Sequence, residues 1–259
     1  AYMPQIAIKD GRIVKDDELI AGGKTDIQWW NGKLKPNYVA SYLTRPHVTR
    51  FVPGREGLGY TDRIDSVISY MKAKNIAVLD HNYALWYDRR RDDHERIRRR
   101  DGDVWGPMYD QPFARSGQGT AWDGLSKYDL NRPNQWYWAR LKEFADKAGR
   151  NGMLLYHENF FQHNIIEAGA HWVDSPWRTA NNVNDSLFPE PVNFTGDKRI
   201  FRSEMFYDIS NPVRRQYYRQ YIRQGLNTFA GNSNVVQLVS FEYTGTLHFV
   251  QFWFDVIAE

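Results

Sequence analysis

The sequence predicts an α/β fold of the TIM-type (β/α)8 barrel class, and three observations carry that prediction. Short apolar, β-branched runs at Ile76–Leu79, Met153–Tyr156 and Val235–Phe241 alternate with stretches whose apolar residues recur at helical spacing. That alternation is the pattern of parallel strands joined by crossover helices. The connections are one-sided: helix-to-strand links are short, while roughly 45 residues follow Asn82 and roughly 50 follow Asn159 before the next helix. Elaboration on one side only is how a barrel builds a cleft at the C-terminal ends of its strands. Each of these runs also ends in chemically useful residues: Asp80-His81-Asn82, His157-Glu158-Asn159 and Glu242-Tyr243.

Along the chain, residues 1–44 read as a lead-in, the tail of a preceding β domain. Weak alternation at Gln5–Ile8 and Arg12–Val14 around Asp10-Gly11 predicts a small hairpin. Trp29 and Trp30 precede a turn at Asn31-Gly32, so Trp30 is a candidate for facing a cleft. Barrel units are expected over residues 45–259. His47–Val52 reads as the first strand, and Thr61 or Asp62 caps a helix that buries Ile64, Val67, Ile68 and Met71. A second helix is expected from Asn131 to Ala148 and a third, capped by Ser210 with Pro212 in its first turn, to Phe229. The last starts near Thr246.

Composition narrows the function. With 34 basic against 31 acidic residues the net charge is +3, too balanced to make nucleic acid the main partner. No apolar run approaches membrane-spanning length, so membrane insertion is not expected. The absence of cysteine excludes disulfides and thiolate chemistry. Aromatic residues make up 15%, with 10 Trp and 16 Tyr, and many lie in otherwise polar loops. Aromatic faces suit sugar rings, whose C–H bonds stack on π surfaces while their hydroxyls meet neighbouring polar groups.

The order of these elements, with an Asn-Val-Val-Gln strand at Asn234–Gln237 ending at Phe241-Glu242, resembles the first half of clan-A-type glycoside hydrolases. The likeness is closest to the apiosidase-like group of bacterial polysaccharide-degrading enzymes. In that pattern the fourth strand ends in the acid/base glutamate, usually as Asn-Glu; Phe241 stands where the Asn is expected. The resemblance implies that this chain holds the N-terminal part of a barrel, that Glu242 is the acid/base, that the nucleophile follows a later strand, and that the protein works outside the cytoplasm. If Ile27–Trp30 were the first strand, Glu158 would end the fourth and Glu242 the fifth.

The chemistry expected is hydrolysis of a glycosidic bond by two carboxylates, one protonated to assist the leaving oxygen and one ionised. Glu242, Glu158 and Asp80 are the catalytic candidates. His81, Asn82, Trp86, His157, Asn159, His163, Trp172, Trp177, Arg178, Tyr243 and Trp30 are the candidates for binding the carbohydrate substrate. Among the seven Arg of Asp88–Asp103, Arg89, Arg90, Arg91 and Arg96 suit an acidic, plant-type glycan, or simply lace a solvated helix with ion pairs. No cofactor is required. Two other readings stay open: a metal-dependent hydrolase or lyase using Asp80, His81, His157 and Glu158, and a non-catalytic carbohydrate-binding barrel.

Overall fold

A computed structural model describes residues 2–26, 48–51, 63–83, 108–122, 124–162, 165, 172, 175–190 and 199–259. The chain opens with a three-stranded antiparallel sheet of β1 (Ile6–Lys9), β2 (Arg12–Lys15) and β3 (Glu18–Leu19). Asp10 and Gly11 both take positive φ (51° and 72°), the geometry a two-residue turn needs to match the twist of its flanking strands.

β4 (Gly23–Asp26), β6 (Ile76–His81), β10 (Leu154–Phe161) and β11 (Val235–Phe241) form a four-stranded sheet. Every neighbouring pair in it is parallel, and the strands lie side by side in chain order. This corrects the expected start of the sheet. Its first strand is Gly23–Asp26, inside the stretch expected to be a separate lead-in, so the boundary at residue 45 does not divide sheet from lead-in. β5 (Arg50–Phe51), where the first strand was expected, pairs antiparallel with β7 (Met108–Tyr109) outside the sheet. Among the described residues Glu242 follows the fourth strand of this sheet in chain order, with β4 rather than β5 as the first.

Helices α1 (Ile64–Ala73), α2 (Gln135–Arg150), α3 (Arg199–Phe206), α4 (Pro212–Thr228) and α5 (Leu247–Ala258) complete the described layers. α1 buries Ile64, Val67, Ile68 and Met71 on one face, as the spacing predicts. The side chain of Asn134 caps α2, and residues 131–133, expected in the helix, instead close the preceding strand β9 (Tyr128–Pro133). β9 pairs with β8 (Phe113–Arg115) in a hairpin that the apolar pattern does not announce. Asn211, one residue later than expected, caps α4, and Thr246 caps α5.

Tyr137, Trp138, Leu141 and Phe144 of α2 and Tyr218, Tyr221 and Ile222 of α4 pack into one hydrophobic core. Trp177 sits at its centre, 1% exposed, with ring centroids 5.1 Å from both Phe113 and Tyr218. Its indole N–H donates to the Tyr83 hydroxyl at 3.1 Å.

Candidate active site on one face of the parallel sheet

Neighbouring residues in a strand point to opposite faces, and the contacts here decide which face is which. His81 meets the hydroxyl of Tyr137 on α2 at 3.0 Å, and His157 packs against Trp138 of α2 and Phe229 just past α4. Both imidazoles therefore lie in the helix layer. Asp80 and Glu158, each next to one of those histidines in sequence, project to the other face. Backbone pairing sets Tyr156 beside Asp80, so Glu158 is the diagonal neighbour of Asp80 across two parallel strands.

Both carboxyls are buried, Asp80 at 3% and Glu158 at 5% exposure. Lys24 of β4, about half exposed, reaches over to Asp80 with Nζ 3.0 Å from Oδ2. The same ammonium lies 5.8 Å from the centre of the Phe241 ring on the opposite edge strand. Among the described residues no donor reaches Asp80 Oδ1 or Glu158 Oε2, and one proton shared between the two carboxyls removes both deficits. Burial pushes the Glu158 carboxyl up to about 8; the adjacent negative charge of Asp80 and a hydrogen bond to it push the same way, and Lys24 opposes them. At neutral pH Glu158 therefore keeps its proton beside an ion-paired aspartate.

Glu242 stands one residue beyond β11, exposed, with φ +52°. That left-handed conformation is uncommon for a glutamate, and residues held in it cluster at functional sites.

The structure brings Asp80 and Glu158 together and moves several expected sugar-binding residues away from them. His81 and His157 are buried on the helix side. Asn159 is locked there too, its Oδ1 accepting from Trp253 Nε1 at 3.0 Å and its amide donating to Gln237 at 2.9 Å. Trp172 and Trp177 are core residues, with their faces against other rings. Arg178 is ion-paired to Glu190 at 2.7 Å. Asn82 is 3% exposed at the end of β6. Tyr243, next to Glu242, is half-buried and donates its hydroxyl to the Thr246 carbonyl at 2.6 Å. Trp30, Trp86 and His163 lie outside the described residues, as do Arg89, Arg90, Arg91 and Arg96.

The metal reading needs Asp80, His81, His157 and Glu158 to converge, and strand alternation separates the two acids from the two imidazoles. Among the described residues no group of three or more His, Asp and Glu is arranged to hold a metal ion. Lys24 is the member of the site that sequence reading missed. Gly22-Gly23-Lys24 looks like a turn, and the only signal was a lone lysine between glycines and the Thr25–Asp26 pair.

His157 makes a testable contribution of its own. Its Nδ1 hydrogen-bonds to Gln237 Oε1 at 2.9 Å, Nε2 has no partner among the described residues, and Gly225 of α4 approaches so closely that an added Cβ would stand 3.0 Å from its Cε1. Burial lowers its pKa from 6.5 to about 4. The unfolded chain takes up this proton first as pH falls, so the stability is full above about 6.5 and drains away towards pH 4. The difference is about 3 kcal/mol at the acid limit. Thermal melts are expected to lose more stability between pH 7 and 4 in the wild type than in His157→Gln.

An α/β protein with a parallel sheet and a buried pair of neighbouring carboxyls is the class that fold and site define. The chain belongs to the family described as Domain of unknown function (DUF6298), whose pattern matches residues 1–259. No curated protein matches it. No described helix is long and apolar enough to cross a membrane.

Proposed function

We propose that this protein is a glycoside hydrolase working by carboxylate acid/base catalysis, in a (β/α)8 barrel of which β4, β6, β10 and β11 are four consecutive strands. The observation that carries the reading is the buried Asp80–Glu158 pair, in which one carboxyl keeps its proton at neutral pH beside another that is ion-paired. A carboxyl that burial keeps protonated beside an ion-paired neighbour is suited to the acid role. Glu158 is the general acid in this reading.

Asp80 and Glu158 are too close to flank a sugar ring, since the two carboxyls of a glycosidase stand about 5 Å apart or more. The second catalytic carboxylate is therefore assigned to Glu242, at the end of the adjacent strand. This reverses the part that the glycosidase resemblance gives Glu242. Asp80 holds the proton on Glu158 against the opposing charge of Lys24, and both Asp80 and Lys24 meet sugar hydroxyls. The substrate is a plant-type polysaccharide or oligosaccharide, with an acidic glycan favoured by the arginines around Arg89–Arg96, and the setting is extracytoplasmic.

Leaving-group chemistry separates the roles. On 2,4-dinitrophenyl glycosides, whose leaving group departs without a proton, Glu158→Gln is expected to keep most of its bond-cleavage rate, and Glu242→Gln is expected to lose it. Equal loss in both variants on those substrates contradicts the assignment, and a wild type that cleaves no glycoside removes the function.

A further inference from the structure

Glu242 sits in a turn whose neighbours are all tied down. Thr244, two residues on, accepts a hydrogen bond from Gln162 Nε2 at 2.6 Å. Gln162 itself is fully buried directly after β10, and its Oε1 accepts from the hydroxyl of Tyr207, just past α3. The Tyr207 ring packs edge-on against Tyr243 at 5.0 Å and against Phe249 of α5 at 4.7 Å. Thr246 closes the segment by accepting from the Phe249 backbone N–H at 3.1 Å. A side chain at Gly245 would collide with the rings of Tyr243 and Tyr207, so the turn has no room to swing that way.

From this geometry we infer that Gln162 is a positioning residue: through Thr244 it holds Glu242 in its left-handed conformation and so fixes where the carboxylate points. The inference rests on the glycosidase reading for its catalytic meaning and on the contacts alone for its conformational one. A buried amide with both ends bonded is a rigid strut, because releasing either bond strands a polar group away from water. Glu242 has left the strand ladder, and its backbone angle costs a non-glycine residue free energy that the surroundings must supply. The strut joins the end of the strand that carries Glu158 to the turn that carries Glu242. The two carboxylates are then set by one connected unit, which catalysis requires to within a fraction of an ångström.

The test pairs a thermal cycle with kinetics. Glu242→Gly relieves the left-handed strain and is expected to raise Tm by about 2–4 °C in the wild type. In Thr244→Val, a near-isosteric change at an exposed residue that removes the acceptor, the same substitution is expected to gain less than half of that. Gln162→Leu, if it folds, is expected to behave alike. An equal gain in both backgrounds overturns the inference, because the conformation is then held by something else.

The kinetic arm uses the 4-nitrophenyl glycoside that the wild type cleaves fastest. Thr244→Val is expected to lower kcat about tenfold or more with KM within about twofold, a split that lost stability alone does not produce. An unchanged kcat also overturns the positioning role. Should the wild type cleave no glycoside while the thermal coupling holds, the glycosidase reading falls and the strut stands.

Discussion

Replacing Glu158 by Gln is expected to lower kcat/KM for unactivated glycosides by about 10²–10⁴-fold, the range that a positioned general acid supplies. The alkaline limb of the rate profile should vanish with it. In the wild type the rate is expected to fall as pH rises through about 8, because the acid form of Glu158 is lost there. Neighbouring variants move that limb in opposite directions. Asp80→Asn removes a negative charge and a hydrogen-bond acceptor that hold the proton, so the limb moves down in pH. Lys24→Met removes the positive charge that opposes protonation, so it moves up. The same proton has a stability consequence: a carboxyl raised in the fold contributes fully below the ordinary glutamate range, and its contribution is lost as pH climbs through 8. Wild-type Tm is therefore expected to fall more steeply between pH 6 and 9 than that of Glu158→Gln.

Trp177→Ala is expected to destabilise the protein by about 3–5 kcal/mol, the cost of emptying a large buried aromatic site. Trp177 touches Phe113, Phe160, Phe206, Tyr218 and Tyr221, and its loss leaves the Tyr83 hydroxyl without its indole donor. Urea unfolding monitored by circular dichroism reads the difference. A change below about 1 kcal/mol would mean that the ring lies at a wet surface, as a sugar platform would.

That second prediction marks where sequence reading stopped. An aromatic in a polar stretch looks the same whether its ring faces a ligand or a core, and Trp172 and Trp177 proved to be core because the segment folds back onto α3 and α4. The strands from Ile76, Leu154 and Val235 were legible because a parallel strand buried in the sheet is an unbroken apolar run. Gly23–Asp26 was not, since its run is a glycine and three polar side chains, with no apolar signal. The polar triplets at the strand ends were legible as positions and misread as groups. Asp80-His81-Asn82 and His157-Glu158-Asn159 invite the idea that all six converge, yet the pleat sends Asp80 and Glu158 one way and both histidines the other. Charge pairing across 56 residues, as between Lys24 and Asp80, has no local trace at all.

The account turns on one proton, so a ¹³C NMR titration of the glutamate side-chain carboxyls tests it most directly. One glutamate carboxyl is predicted to titrate near pH 8, to disappear in Glu158→Gln, and to shift downward in Asp80→Asn. If every glutamate in the folded protein titrates below about 5, Glu158 is ionised at neutral pH, the shared proton does not exist, and the proposed general acid is lost with it.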